Sequence, residues 1–213
     1  MLKVEVLSRI CDSGLIAVVR APAADDAIRI ADACAAGGAE VLEITFTVPG
    51  AANAIYKLCD GKDSGRYVVG AGTVLDPETA RIAILSGAKF IVSPALNTET
   101  AKLCNRYQIP YLPGAATVRE VIEAMECGAD IIKIFPGDTT GPTFVKAVKA
   151  AVPQASLVPT GGVSLENVHT WITAGCVAVG AGSNLTRSSA VGDFNTITEL
   201  TRSFIEEIRK ARV

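Results

Sequence analysis

The sequence repeats one pattern eight times: a short apolar run rich in β-branched residues, then a longer amphipathic stretch with helix start and stop signals. Successive runs begin 20 to 27 residues apart. Almost continuously apolar runs are typical of parallel strands that helices cover on the outside. The pattern therefore predicts an α/β protein, a (β/α)8 TIM barrel. The eight predicted strands are GLIAVVR from Gly14, VLEITF from Val41, YVVGAG from Tyr67, KFIVSP from Lys89, IPYLPGA from Ile109, DIIKIFP from Asp130, SLVPTGG from Ser156 and VAVGAGS from Val177.

Several helical stretches end on glycine just before the next apolar run, as in AAGGAEVLEI and ECGADIIKIF. Glycine is a common residue where a helix ends and leads into a parallel strand. An open doubly wound sheet is the alternative fold, but eight regular units without a G-x-G-x-x-G fingerprint favour the barrel. No Pro/Ser-rich linker interrupts the pattern. We therefore expect a single domain over residues 1–213, with a short amphipathic helix at its N-terminus and a helix from Phe194 onward completing the ring.

Composition excludes several classes of function. A formal net charge of −2 does not indicate the basic surface that binds nucleic acid. No apolar stretch reaches the roughly 18 residues of a membrane span. The segment MLKVEVLSRICDSGL carries charges inside its apolar pattern and does not resemble a signal peptide. Six cysteines at least 23 residues apart and a single histidine, His169, disfavour a zinc site and a Ser-His nucleophile. We expect a cytoplasmic protein with reduced thiols and no metal or cofactor.

Position along the predicted strands separates two groups of charged residues. In a barrel, the active face lies at the C-terminal ends of the strands, whereas the opposite end serves stability. Three charges lie where predicted strands begin, and we expect them to contact water: Glu40, Lys89 and Asp130. Three others lie deep in a strand or where a strand ends, and these are the candidates for chemistry: Arg20, Glu43 and Lys133.

Lys133 interrupts the apolar run Ile131 to Phe135, where an unpaired ammonium group is costly. Side chains alternate across a strand, so Ile132 and Ile134 share one face and Lys133 lies on the other. If the isoleucines meet the helices, Lys133 points into the barrel, and the same alternation in VLEITF directs Glu43 there. Either the two form a buried salt bridge without a further role, or Lys133 is a desolvated amine that forms a Schiff base with a carbonyl group.

Glycine-rich segments end predicted strands seven and eight: PTGGV at 159–163 and GAGSNL at 180–185. Glycine lets backbone N–H groups approach an anion, and these two strand ends commonly bind phosphate in barrels. Ser183 would add a hydroxyl donor. Taken singly, each glycine pair is also explained by an ordinary turn. The strand ends at Thr73 and Pro94 indicate a small carboxylate pocket, although turn chemistry explains them nearly as well.

Nine motifs in this order and register resemble one known family, the 2-keto-3-deoxy-6-phosphogluconate (KDPG) aldolases, also called KHG/KDPG aldolases. The similarity runs over nearly the whole chain. The motifs are IAVVRA, EVLEITFTVPGA, VGAGTVLDPE, FIVSPALN, YLPGAATVREV, IIKIFPG, GPTFVKAVK, PTGGVSLENV and VGAGSNL.

The resemblance implies a metal-independent class I aldolase, a homotrimer of barrels that acts on a phosphorylated 2-keto acid. By the same resemblance, Lys133 is the Schiff-base lysine and Glu43 is the general acid/base. Substrate-binding roles are implied for Arg20 beside that pair, Thr73 and Pro94 around the pyruvyl carboxylate, Phe135 beside the lysine, and Thr160, Gly161, Gly162, Gly182 and Ser183 around the phosphate.

One departure from the family pattern concerns substrate preference. Many members carry E-x-T-x-R on strand two, whereas this chain has EITFT, with Thr47 in place of the arginine. Thr160 resembles gluconate-type rather than galactonate-type members, so we expect the gluconate substrate, with the galactonate epimer as an alternative. A thiamine-phosphate-synthase-like transferase would need carboxylates for magnesium, and only Glu43 is suitably placed. A phosphosugar sensor would not need to bury Lys133 opposite Glu43.

Overall fold

The computed structural model describes residues 2–61 and 65–213, in which short parallel strands alternate with helices. The strands are β1 (Leu15–Val19), β2 (Val41–Thr45), β3 (Val68–Gly72), β4 (Ile91–Val92), β5 (Tyr111–Leu112), β6 (Gly114–Ala115), β7 (Ile132–Ile134), β8 (Leu157–Pro159) and β9 (Val179–Ala181). The helices are α1 (Lys3–Ser13), α2 (Ala24–Ala36), α3 (Ala51–Asp60), α4 (Pro77–Leu85), α5 (Thr98–Tyr107), α6 (Val118–Glu126), α7 (Gly137–Ala151), α8 (Val168–Thr173), α9 (Ser183–Thr186) and α10 (Phe194–Ala211), with a 3₁₀ helix at Arg187–Val191.

All paired strands in the described residues run parallel. Six form one sheet in the order β5-β4-β3-β2-β1-β9, and three form another in the order β6-β7-β8. A parallel bridge between Thr160 and Gly180, together with a 3.0 Å hydrogen bond from the N–H of Val177 to the carbonyl of Leu157, connects the two sheets. The predicted α/β class with curled parallel strands is therefore confirmed.

The described residues form nine strands, whereas the sequence predicts eight. The single run IPYLPGA becomes two strands, because Pro113 has no N–H to donate between β5 and β6. β5 pairs with β4, whereas β6 pairs with β7. Proline thus separates two hydrogen-bonded ladders within one extended segment, and its carbonyl still accepts a 2.9 Å hydrogen bond from the N–H of Lys133.

Several helices begin at residues whose side chains cap them. Asp76 and Asn97 accept hydrogen bonds from backbone N–H groups at the starts of α4 and α5, and Thr117 with Glu120 forms a capping box at α6. Helix α7 is interrupted at Gly141, which has a φ of 70° and precedes Pro142. Its first turn therefore stands apart from its longer second part.

The strands separate two hydrophobic clusters, which confirms the predicted alternation of side chains. The inner cluster contains Ile131, Val41 and one or more residues from most other strands, whereas Ile132 and Ile134 belong to the outer cluster between strands and helices. Lys133 and Glu43 therefore lie on the inner side. In the outer cluster, α10 contributes Ile197, Phe204 and Ile208 as predicted, with Phe194, Leu200 and Ile205 partly buried.

Helix α1 covers the N-terminal ends of the strands. Its residues Val6 and Ile10 are buried in the inner cluster, and Lys3 forms a 2.6 Å ion pair with Asp130 just before β7. Glu40 and Asp130 are exposed, as expected at this end, whereas Lys89 is half-buried. Within residues 2–61 and 65–213, the helices all fall short of the length and apolar character needed to cross a bilayer.

Candidate active site

Lys133 is the central residue of β7 and is only 3% exposed. The strand pairs it with Gly114 on one side and Val158 on the other, so its backbone is fixed by two ladders. Its Nζ atom lies 4.7 Å from the centre of the Phe135 ring, a distance at which a cation is attracted to an aromatic face. The amine is therefore held at the C-terminal half of the inner surface, with little water around it.

Glu43 lies in β2 between Val18 of β1 and Gly70 of β3, and it is 2% exposed. Its Oε1 atom has no hydrogen-bond partner among the described residues. A buried carboxylate oxygen without a partner is costly, and such an atom is frequently found where a ligand or a water completes the site. Glu43 is thus available to exchange a proton with a bound molecule.

Burial perturbs the ionisation of both groups. Burial lowers the pKa of Lys133, Arg20 lowers it further, and Glu43 acts in the opposite direction. Burial raises the pKa of Glu43, against the opposing effect of the charges of Lys133 and Arg20. These shifts favour a neutral amine beside a carboxyl group that can carry a proton.

Lys133 forms no ion pair with any other described residue. The described residues therefore do not favour the alternative interpretation, a direct buried salt bridge in which Lys133 and Glu43 only satisfy each other. The two groups influence each other's pKa through their charges.

A small cavity of about 70 Å³ lies at the ends of β8 and β9. We call this space the glycine cradle. Liquid water takes about 30 Å³ per molecule, so the cradle has room for a compact group. It brings together seven of the predicted site residues: Arg20, Phe135, Thr160, Gly161, Gly162, Gly182 and Ser183.

The backbone of the cradle requires glycine at two consecutive positions. Gly161 has a φ of 98° and Gly162 a φ of 69°, a region that other residues rarely adopt. A Cβ at Gly162 would also lie 2.8 Å from the Cβ of Asp138. Among the described residues, no hydrogen bond uses the backbone N–H of Gly161, Gly162 or Ser183. These donors are available to an anion.

Thr73 and Pro94 do not line the glycine cradle. Both are half-buried and follow β3 and β4, at the same end of the strands. Thr73 has a φ of 57°, which is an outlier for a β-branched residue and a kind of strain that clusters at functional sites. The pair therefore lies at the active end but apart from the cradle.

Thr47, at the position where many family members have arginine, is exposed. Its hydroxyl lies 2.8 Å from that of Thr45, which donates a 3.0 Å hydrogen bond to the carbonyl of Val19. Because the single hydroxyl proton of Thr45 is used there, Thr47 must donate to Thr45. Thr47 can then only accept a hydrogen bond from a ligand.

Sequence reasoning missed three residues that shape the site. Asn184 lines the cradle and donates a 2.9 Å hydrogen bond to the carbonyl of Val163, which ties the two glycine-rich segments together. Gly180 lies against Thr160 in the same cavity. Gly72 adjoins the Glu43 carboxylate. The place of Asn184 in the glycine-rich segment GAGSNL was a signal for its role. The roles of Gly72 and Gly180 depend on contacts with Glu43 and Thr160, and the sequence alone does not show these contacts.

Metal-binding residues do not cluster in the described part of the chain. There, no three His, Cys, Asp or Glu side chains lie close enough together to hold a metal ion. All six cysteines carry free thiols.

Comparisons with known proteins agree on one family. The family model described as KDPG and KHG aldolase matches residues 6–200. The 2-dehydro-3-deoxy-6-phosphogalactonate aldolase of Escherichia coli (strain K12) is 33% identical over 198 residues, which is 92% of this chain and 95% of that protein. The 2-dehydro-3-deoxy-phosphogluconate aldolase of Treponema pallidum is 33% identical over 195 residues, 90% of this chain and 92% of the relative.

A solved structure is similar over almost the same length. It is the KDPG aldolase from Legionella pneumophila with pyruvate captured at low pH as a covalent carbinolamine intermediate. The two folds superpose with a TM-score of 0.85 and 30% sequence identity, covering 92% of this chain and 96% of the other.

Proposed function

Because the chain belongs to the KDPG and KHG aldolase family, we propose that it cleaves 2-dehydro-3-deoxy-6-phosphogluconate into pyruvate and D-glyceraldehyde 3-phosphate through a Schiff base on Lys133. The observation that carries this proposal is the buried amine of Lys133, which forms no ion pair with a described residue and has a lowered pKa. A neutral amine in a dry site is the nucleophile that a class I aldolase needs. The covalent pyruvate in the Legionella relative agrees with this chemistry.

The reaction begins when the neutral amine of Lys133 attacks the C2 carbonyl of the substrate. Protonated Glu43 gives its proton to the hydroxyl of the resulting carbinolamine, which leaves as water, and the iminium ion that forms draws electrons from the adjacent carbon chain. Glu43, as a carboxylate, removes the proton of the C4 hydroxyl, and the C3–C4 bond breaks. The bonding electrons pass to the iminium group, which becomes an enamine, and the aldehyde product leaves.

The second half of the reaction restores the enzyme. Protonated Glu43 returns a proton to C3 of the enamine, directly or through a water, and water then hydrolyses the iminium ion to release pyruvate. The raised pKa of Glu43 suits a group that must hold a proton between these two steps. Hydrolysis releases one proton, which the Glu43 carboxylate takes up, so Lys133 ends as a neutral amine and Glu43 as a carboxyl group, as they began.

The glycine cradle would hold the substrate phosphate at the other end of the molecule. Its free backbone N–H groups, the Ser183 hydroxyl and the Arg20 guanidinium form a donor set suited to a phosphate group. Arg20 also lowers the pKa of Lys133 and of Glu43. The same guanidinium group would therefore bind the phosphate and affect the two ionisable groups at the other end of the substrate. Thr73 and Pro94 would face the pyruvyl carboxylate, and Phe135 would pack beside the imine.

Substrate breadth follows from the same chemistry. We propose 4-hydroxy-2-oxoglutarate as a second substrate, which yields pyruvate and glyoxylate, because it carries the same reacting atoms without a phosphate. The galactonate epimer is the alternative, named in the Escherichia coli relative. Side-by-side kinetics on the three substrates would rank them.

We further propose a closed (β/α)8 barrel, a single domain over residues 1–213. The inner hydrophobic cluster and the Thr160–Gly180 bridge between the two sheets support closure. A cytoplasmic homotrimer is proposed from the family resemblance. The exposed apolar side chains of Leu75, Ile82 and Leu85 on and just before α4 support association, and light scattering would measure the mass in solution.

Borohydride reduction in the presence of pyruvate tests the proposed mechanism. We expect a mass increase of about one reduced pyruvate adduct on the peptide that contains Lys133. Lys133→Ala should abolish both the adduct and turnover while the circular dichroism spectrum stays native, and Lys146→Ala on the exposed face of α7 is the control. An adduct that persists without Lys133 would disprove the assignment. Activity lost on adding EDTA would instead favour a magnesium-dependent transferase.

A further inference from the structure

A second, much larger cavity of about 670 Å³ adjoins the glycine cradle. It lies between the end of β1, the start of α2, the short helix α9 and the start of α10, and we call it the Arg187 cavity. It has nearly ten times the volume of the cradle, within the roughly 300–1,000 Å³ typical of small-molecule sites. Arg20 and Ser183 line both spaces. A ligand in one space therefore lies next to a ligand in the other.

The Arg187 cavity carries positive charge. Among the described residues, neither Arg20 nor Arg187 forms an ion pair or donates a hydrogen bond. The one carboxylate in the lining, that of Asp26, lies 3.9 Å from Arg29, which offsets its charge. Outside the lining, Glu166 interacts electrostatically with Arg187 but forms no ion pair with it. The lining itself has two guanidinium groups against one carboxylate, which favours a carboxylate, phosphate or sulfonate group.

The rest of the lining includes an apolar wall. Pro22 and Ala190 expose apolar atoms there, and Phe194 contributes a half-buried aromatic ring at the start of α10. The Arg29 guanidinium lies 4.3 Å from the centre of that ring and holds it in place from one side. A bound molecule would therefore need an apolar or aromatic body in addition to its anionic group. The substrate, a polar sugar acid, does not have such a body.

We propose that the Arg187 cavity is a second binding site, for a small anionic molecule with an apolar or aromatic body, and that its ligand competes with phosphate for Arg20 and Ser183. The site itself stands on the geometry of the cavity, whereas its effect on catalysis rests on the proposed function. A ligand there inhibits cleavage of the phosphorylated substrate, because both molecules need the same guanidinium and hydroxyl groups.

Anilinonaphthalene sulfonate has this chemistry, and its fluorescence reports binding to the native protein. We expect one molecule to bind per chain. Arg187→Ala should weaken binding about tenfold, as expected for the loss of one charged hydrogen-bonding partner, and inorganic phosphate should weaken it as well. Arg202→Ala, which removes an exposed arginine of α10 outside the cavity, should leave binding unchanged. Circular dichroism confirms that each variant is folded.

Two results would overturn the proposal. Equal binding by the native protein and Arg187→Ala would show that the probe does not occupy this cavity. Binding that depends on Arg187 but ignores phosphate would show that the two sites do not overlap. Because the titration uses no substrate, it tests the cavity even if the protein has no aldolase activity.

Discussion

Gly72 provides the space that the carboxylate of Glu43 occupies, since a Cβ at position 72 would overlap Oε1 of Glu43. The two residues belong to neighbouring strands, where Glu43 pairs with Gly70 and Gly72 pairs with Thr45. The glutamate side chain therefore extends along the inner surface toward the active end. Its position depends on the absence of a side chain on the next strand.

Gly72→Ala should move the Glu43 carboxylate and lower the turnover number about 10²-fold, since general acid–base catalysis contributes at least that much when it is well aligned. The φ angle of Gly72 is ordinary, so the added methyl group acts through space rather than through backbone strain. Steady-state kinetics measure the effect. Gly65→Ala is the control because its Cβ would meet no atom within 4 Å. Unchanged turnover in Gly72→Ala would contradict a precise role for Glu43.

Glu43→Gln should shift the pH dependence of Schiff-base formation to lower pH. The Glu43 charge raises the pKa of Lys133, so removing this charge leaves burial and Arg20 to lower that pKa further. The neutral amine then appears at lower pH. Borohydride trapping of pyruvate across a pH series measures the midpoint. A midpoint that stays in place, or moves upward, would mean that the two groups are not electrostatically coupled.

Arg20→Gln should shift the same midpoint in the opposite direction. The Arg20 charge lowers the pKa of Lys133, so its loss raises that pKa and the neutral amine appears only at higher pH. Arg20→Lys keeps a positive charge and serves as the matched control. If Arg20→Gln and Glu43→Gln moved the midpoint in the same direction, the assignment of these two charges would be incorrect.

Ser183→Ala should raise KM for the phosphorylated substrate about tenfold, because one hydrogen bond to a charged group is lost. KM for 4-hydroxy-2-oxoglutarate should stay constant, since that molecule has no phosphate to place in the cradle. Ser203→Ala on α10 is the control. Equal effects on both substrates would indicate that Ser183 does not contact the phosphate.

Phe204→Ala should lower the free energy of unfolding by about 3–5 kcal/mol, because Phe204 is fully buried in the outer cluster, where α10 packs on neighbouring strands and helices. Urea denaturation measures the change. Val191→Ala should change stability by less than about 0.5 kcal/mol, since Val191 is 84% exposed. Similar losses in both variants would contradict the placement of α10 over the core.

Local periodicity determined much of the fold and part of the site. The alternation of apolar runs and amphipathic stretches is visible in the sequence itself, so it predicts parallel strands covered by helices. The two-residue period of a strand places Lys133 and Glu43 on one face without any knowledge of distances. The grouping of the two glycine-rich strand ends also follows, because neighbouring parallel strands end at the same edge.

Only the tertiary structure decided how residues far apart in the chain meet. Strand curvature and stagger determine the contact between Gly72 and Glu43 and the approach of Arg20 to Glu43 and Lys133. They also determine that Lys133 forms no ion pair with another residue that the structure describes. The Arg187 cavity depends on how α9 and α10 pack beside β1. Periodicity specifies which way a side chain points, whereas distances between side chains are set by the simultaneous packing of all strands and helices.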